Sequence, residues 1–284
     1  MLQTRASQLS TLIEPMVGKH NTQTLESEKA KIIRSTLEKV EHTDKSLRSV
    51  IKHTQHFIKD LTTKKDQIMQ TQKELLKLSK TVISEVISGK EFANMSASNF
   101  RHHYETTAIA ISRTLFMLTQ QSTIQVKCQA EADKIQTNEN TILQNLDSAE
   151  YITNVVKETM RLYPPTPFAA RLVQETAIVG GYELPKNSTL LYPIFSIHQN
   201  KKYWENSCEF IPERFSKQTI YPLSYCPFGL GERVCPGSHL AWVEIKIILI
   251  LLLKNFTFTL STPISESFIW TKDDILLKIR KRTF

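Results

Sequence analysis

A mainly α-helical chain with small β-sheets, an α+β protein, is the fold class that the sequence predicts, and three observations predict it. No proline lies between Pro15 and Pro164 and only Gly89 lies between Gly18 and Gly180, so nothing punctuates a long run of helix formers. Within that run apolar residues recur at helical spacing, as at Leu75, Leu78, Val82 and Val86. From Pro164 onward, short alternating segments are separated by Gly and Pro turns, which is the pattern of strands and loops.

Composition narrows the classes. The chain has 284 residues, enough for a sizeable core, with Lys+Arg 36 against Asp+Glu 28 and a net charge of +8. That balance suits an acidic partner or anionic surface without requiring one, and no motif points to nucleic acid. Cys128, Cys208, Cys226 and Cys235 form no C-x-x-C pair, which argues against a disulfide framework. A zinc site from Cys208, Cys226, Cys235 and His239 is an alternative, but its spacings are irregular. The first sixteen residues are polar and mixed, with no signal-peptide core. The longest apolar run, Ile247 to Leu253, is far shorter than the ~20 residues of a membrane span. The expectation is therefore a soluble, cytoplasmic chain without a membrane segment.

The elements follow in order. From Thr24 to about Ser88, two or three amphipathic helices are expected, separated near His42 to Lys45 and Thr62 to Lys64. A coiled-coil partner surface is the alternative there, although no heptad is sustained. Phe100 to Ile135 reads as one long helix containing Glu105-Thr106. Ala149 to Leu162 is a further helix, stopped by Pro164-Pro165, with Glu158 and Arg161 on one face. Arg171 to Leu191 reads as short strands around Gly180-Gly181 and the Pro185-Lys186-Asn187 turn. Pro212-Glu213-Arg214-Phe215 leads toward Pro227-Phe228-Gly229-Leu230-Gly231-Glu232-Arg233-Val234-Cys235-Pro236-Gly237, and an apolar helix follows from His239 to Leu253. Phe256 to Leu260 and Ile275 to Lys281 alternate like strands.

The stretch from Phe228 to Gly237 has the spacing F-x-x-G-x-R-x-C-x-G. A helix N-terminus favours a thiolate through its dipole and free N–H groups, and Pro236 suits the first helical position, which makes Cys235 the expected cap residue. This stretch resembles the haem-binding signature of the cytochrome P-450 family at all five fixed positions. Three further motifs occur in the family's order: Glu105-Thr106 resembles its acid-alcohol pair, Glu158-Thr159-Met160-Arg161 its E-x-x-R helix, and Pro212-Glu213-Arg214-Phe215 its P-E-R-F segment.

The resemblance implies a cytochrome P-450-like fold, incomplete on its N-terminal side, in a single domain over 1–284. Residues 1–99 would be a divergent helical region and 100–284 the haem-binding core. It implies haem b as cofactor, with Cys235 as the axial ligand of the iron and Phe228 shielding the sulfur. Gly231 and Gly237 would give a flat macrocycle room, Arg233 would grip a propionate, and Arg171 and His198 would be further propionate neighbours. Glu105 and Thr106 would relay protons, and Glu158, Arg161 and Arg214 would form a buried triad that holds the cysteine loop. The function implied is a monooxygenase that inserts one oxygen atom of O2 into a small hydrophobic substrate. Electrons would come from a separate ferredoxin-like or flavin reductase, because no nucleotide-binding glycine motif is present.

One departure bears on that reading. The family's small Ala-Gly pair aligns with His102 and His103. Because His102 and Thr106 are four residues apart and share a helix face, His102 is a candidate sixth ligand of the iron; the alternative is that the helix start is frayed or shifted and both histidines face solvent. The alternatives are a degenerate, non-catalytic haem-binding protein and a helical interaction protein without haem.

Overall fold

A computed structural model describes residues 35, 37, 44–64, 68–86, 101–137, 141–173, 175–217, 220–230, 234–262 and 274–283. Its principal helices are α1 (Asp44–Thr63), α2 (Thr71–Val86), α3 (Arg101–Gln120), α4 (Ser122–Lys134), α5 (Ile142–Asn145), α6 (Glu150–Leu162), α7 (Ile194–His198), α8 (Arg214–Lys217) and α9 (Ser238–Asn255). The strands are β1 (Ile68–Gln70), β2 (Ala169–Leu172), β3 (Ala177–Val179), β4 (Tyr182–Leu184), β5 (Thr189–Tyr192), β6 (Phe256–Leu260) and β7 (Leu276–Lys281). The protein is thus mainly helical with small antiparallel sheets.

The core is built around α9. Its sequence is apolar on every side, and Ile245 and Ile247 to Leu253 are buried, as a helix hydrophobic all round must be. It packs against α1, α3 and α4, while α3 packs in turn against α2 and α6. Leu75, Leu78, Val82 and Val86 form the buried stripe of α2 that their spacing predicts.

The sheets are peripheral and short. β7 lies between β1 and β6, with Met69 opposite Leu277 and Phe258 opposite Ile279. β2 pairs with β5, and β3 with β4 through a two-residue turn at Gly180 (φ 59°) and Gly181 (φ 84°), a conformation that glycine adopts without steric cost.

The long helix expected over 100–135 is broken at Gln121, which leaves helical geometry at φ −129°, ψ 74°. Neither Gly nor Pro marks the break. Tertiary contacts account for it: Gln125 donates through Nε2 to Phe258 O (3.0 Å) and to Leu118 O (3.1 Å), and accepts from Phe258 N (2.8 Å). Gln129 donates to Phe256 O (3.1 Å). These bonds dock α4 along β6 and fix an angle that α3 cannot follow. Carboxylates seat two helix starts: Asp274 accepts from Gln72 N and Lys73 N at α2, and Glu131 from Tyr151 N and Ile152 N at α6. Both place negative charge on the positive end of a helix dipole.

Among the described residues no helix is long and apolar enough to cross a membrane, because the buried stretch of α9 is short.

Glu244 is fully buried in α9, and neither carboxylate oxygen has a hydrogen-bond partner. Burial pushes its carboxyl up to about 7, against a smaller opposing pull from the Ser79 hydroxyl. The folded chain therefore holds this proton where the unfolded chain releases it, so stability falls as pH rises from 4.5 to about 7. Above that range the penalty is on the order of 3 kcal/mol. Glu244→Gln is expected to raise the urea midpoint at pH 8 and leave it little changed at pH 4.5.

Candidate functional site

Between α3 and the loop that precedes α9 lies a cavity of about 360 Å³, lined mostly by apolar atoms. The loop contributes Pro227, Phe228, Gly229, Cys235, Pro236 and Gly237, and α3 contributes His103, Thr106, Thr107 and Ala110. Met160 from α6, Ile194 from α7 and Ala169 and Arg171 from β2 close the remaining sides.

The cysteine loop is tightly turned. Cys235 N donates to Phe228 O (2.9 Å) and Gly229 N to Cys226 O (3.0 Å), with Gly229 at φ 78°. Gly237 is the residue that caps α9, which begins at Ser238. Cys235 thus lies two residues before the cap and not at it, because its own N–H is committed to Phe228 and Pro236 sits in a turn. The phenyl ring of Phe228 lies 5.9 Å from Trp242 on α9, giving the cysteine side of the cavity an aromatic wall. All four cysteines are thiols, and among the described residues no cluster suited to a metal ion forms, so the zinc alternative has no geometry behind it.

The wall from α3 is a stripe at i, i+3, i+4 and i+7: His103, Thr106, Thr107 and Ala110. Both threonine hydroxyls donate to the same carbonyl, His103 O, at 3.1 Å. The helix nevertheless stays α-helical throughout. Glu105 lies off this stripe. Its carboxylate accepts from Arg101 Nε at 2.5 Å at the protein surface and does not line the cavity.

The histidine that reaches the cavity is His103; the side chain of His102, the candidate sixth ligand, lies outside what the structure describes. Its ring extends from α3 to the cysteine loop, where a Cβ at Gly237 would lie 2.5 Å from His103 Nδ1 and closer still to the ring's Cε1. Only glycine at 237 leaves space for that ring. His103 retains some exposure as a residue, yet Nε2 is sealed from solvent and has no hydrogen-bond partner. Such an atom ordinarily costs about 1–3 kcal/mol. Burial lowers the imidazole to about 4.

Arg171 lies at the cavity edge, exposed, donating through Nη1 to Ala170 O (2.8 Å). Arg233 and Gly231 lie outside the described residues. His198 does not line the cavity, which corrects its expected place beside a propionate. It is fully buried, stacks on Tyr225 (5.2 Å), faces Met160 O through Nδ1 (3.3 Å) and accepts from Cys226 N through Nε2 (2.9 Å). Its role is to hold the start of the cysteine loop. Burial lowers it to about 4.

Behind the loop, Glu158, Arg161 and Arg214 come together without solvent. Arg161 grips Glu158 through Nε (2.8 Å) and Nη2 (2.9 Å), and Arg214 Nε donates to Glu158 Oε1 (3.0 Å). The other hydrogens of Arg161 go to the carbonyls of His198, Ser207 and Glu209, and Arg214 donates further to the carbonyls of Glu205 and Asn206. Trp204 lies under both cations, at 5.2 and 5.9 Å.

Sequence reasoning missed several residues. Thr107 and Ala110 share a stripe with His103, a spacing that was readable from the sequence. Arg113 donates to Tyr163 O (3.1 Å) and Pro164 O (2.9 Å), tying α3 to the turn that leads into the cavity wall. No local pattern foretells that contact.

Three outcomes are expected. Glu158→Gln leaves two buried guanidiniums short of their counter-charge, and the loss in urea unfolding should be about 3–5 kcal/mol. Lys127→Ala, which breaks an exposed pair with Glu213, should cost no more than about 1 kcal/mol. For His198, the unfolded chain takes up a proton below pH 6.5 while the folded chain resists until about 4. Stability is therefore fully present above pH 6.5 and is lost as pH falls toward 4, by about 3 kcal/mol. His198→Asn should flatten that slope.

The sequence profile described as Cytochrome P450 matches residues 1–283. The chain is 36% identical over 192 residues to Cytochrome P450 3A14 of Cavia porcellus, a match that covers 63% of this chain and 38% of that protein. It is 38% identical over 162 residues to Cytochrome P450 3A13 of Mus musculus, covering 54% of this chain and 31% of that protein. It is 36% identical over 159 residues to Cytochrome P450 3A19 of Capra hircus aegagrus, covering 55% of this chain and 73% of that protein. The chain therefore spans about a third of the length of the first two relatives. With a cysteine loop, a helix wall and a buried charge network arranged around one cavity, and a profile match along almost its whole length, this chain belongs to the cytochrome P450 family.

Proposed function

We propose that the chain carries the haem-binding core of a haem-thiolate monooxygenase, which inserts one oxygen atom of O2 into a hydrophobic organic substrate. The observation that carries this reading is the cavity in which the Cys235 loop faces the threonine stripe of α3. The residues present suit a flat, largely apolar cofactor. A thiol stands at the mouth of a tight loop, Gly237 has no side chain, Ala110, Met160 and Ile194 give apolar walls, and a guanidinium stands at the edge. Bound there, haem b would supply the activation of O2.

In this reading the Cys235 sulfur would hold the haem iron, and a thiolate there would supply the electron density that favours O–O cleavage. Phe228 and Trp242 keep water from the sulfur, since polarity and hydrogen bonding around a ligand tune it. The Arg171 guanidinium at the cavity edge and the motif residue Arg233 would hold propionate carboxylates. Thr106 and Thr107 donate their protons to His103 O and keep oxygen lone pairs turned to other donors. A hydroxyl that rotates away from His103 O can give its proton to an acceptor in the cavity while a lone pair of the same Oγ1 takes one from a donor behind it. Glu105, the acid of the motif, pairs with Arg101 off the cavity, so the relay rests on the two threonines. Electrons come from a ferredoxin-like or flavin reductase, and a net charge of +8 suits an acidic docking face on it.

A second reading, a haem-binding member without turnover, is favoured by one observation: the His103 ring reaches the cysteine loop through the same cavity.

Haem titration, followed by reduction and carbon monoxide at equilibrium, tests the first reading. A strongly red-shifted Soret band, lost in Cys235→Ala, is the expected result, and failure to take up haem overturns both readings. With a supplied reductase and a panel of hydrophobic substrates, product should form, and Thr106→Ala/Thr107→Ala should lower kcat by ~10²-fold or more. A red-shifted band without product would leave the second reading standing.

A further inference from the structure

We propose that His103 is a removable plug of the haem cavity: its ring lies on the face of the cysteine loop that a macrocycle held at Cys235 has to cover, so ring and haem exclude each other and haem binds to chains in which the ring has swung out. This rests on the haem-thiolate reading and adds a gate on cofactor uptake to the same site.

The contact between ring and loop is close. A Cβ at Gly237 would lie 2.5 Å from His103 Nδ1 and closer still to Cε1, so both ring atoms sit within van der Waals range of the backbone at 237. Gly237 itself holds φ −99° and ψ 19°, a conformation that other residues also adopt. What excludes a side chain there is the imidazole, not the backbone. Cys235, Pro236 and Gly237 together line the loop side of the cavity, and a flat ligand held by the sulfur has to lie along them. The space that the motif glycine leaves for a macrocycle is thus taken by a side chain of α3.

The plug is hinged at its side chain alone. His103 O accepts from Thr106 and Thr107 Oγ1, each at 3.1 Å, and residue 103 lies within the regular turns of α3. Its backbone is therefore held, and the ring leaves by turning about χ1 and χ2. Residue 103 keeps part of its surface in solvent, which gives the ring a way out at the mouth of the cavity without crossing the core. While seated, the ring fills a gap between α3 and the loop, and so adds packing to the closed arrangement. With the ring seated in ~90% of molecules or more, the apparent affinity for haem falls ~10-fold or more, by the fraction of open sites. Removing the ring should therefore move two quantities in opposite directions, with weaker folding and tighter haem uptake. A histidine that merely supported the fold would lower both.

The test uses the full chain prepared without haem, as wild type and as His103→Ala, titrated with haem and followed by quenching of tryptophan fluorescence. His103→Ala should lower the urea midpoint before haem is added and yet bind haem ~10-fold or more tightly than the wild type. Gly237→Ala should also lower that midpoint, and the loss should shrink when His103→Ala is present, because the clash needs both residues. Equal haem affinity in the wild type and His103→Ala, or weaker binding in a folded His103→Ala, would overturn this proposal and leave the haem-thiolate reading intact. Strictly additive effects of the two substitutions would overturn it as well. No uptake by either protein would sink the haem-thiolate reading and this proposal with it. Should His103→Ala not fold, the wild type carries the test by itself. A nuclear Overhauser contact between His103 Hε1 and the Gly237 Hα protons should be present without ligand and vanish with gallium protoporphyrin, a diamagnetic stand-in for haem. Persistence of that contact in the loaded chain would overturn the plug.

Discussion

Glu158 holds two guanidiniums in a place with no water, and the rest of the site depends on that arrangement. One carboxylate against two cations leaves an excess positive charge, which in a dry interior would be prohibitive by itself. Five backbone carbonyls and the face of Trp204 absorb it. Those carbonyls belong to residues 198 to 209, so satisfying the charges also dictates the path of an irregular segment. The Ile211 N–H, donated to Glu158 Oε1 (2.9 Å), extends this control to the next loop. His198 takes its place in the same segment, and its ring nitrogen fixes the first residue of the cysteine loop. A chain of hydrogen bonds thus runs from α6 to Cys226 and on to Cys235.

The cavity has a different physical character. The charge network pairs each ion with an opposite charge and with backbone carbonyls, whereas the cavity contains an orphaned imidazole nitrogen and a glycine pressed against a ring. His198 and His103 make the contrast plain. Burial lowers both imidazoles to about 4, but His198 has a partner at each nitrogen and His103 lacks one at Nε2.

Helical periodicity made much of the fold readable. The stripe of α2, the apolar girth of α9 and the break at Pro164-Pro165 each follow from residue types within a few turns of one another. The motif order and spacing likewise marked Cys235, Thr106 and the charged residues of α6. What the sequence left open was direction. A histidine pair in the first turn of a helix offers two stripes one residue apart, and spacing satisfies both: position 102 aligns with Thr106, position 103 with Thr107 and Ala110. The choice is made by how α3 rolls against α2, α6 and α9, which no local pattern contains.

The same division holds elsewhere. Sequence by itself determined which segments are helix or strand and which residues carry chemistry, because those properties are local and repeat with the period of the backbone. Tertiary structure decided that α3 ends at Gln121, that Glu105 faces Arg101, that His198 is a loop anchor and that His103 lies against Gly237. Each of these depends on contacts between side chains tens or hundreds of residues apart, or on the face that packing leaves to a helix. Their energies are settled only when the partners are brought together.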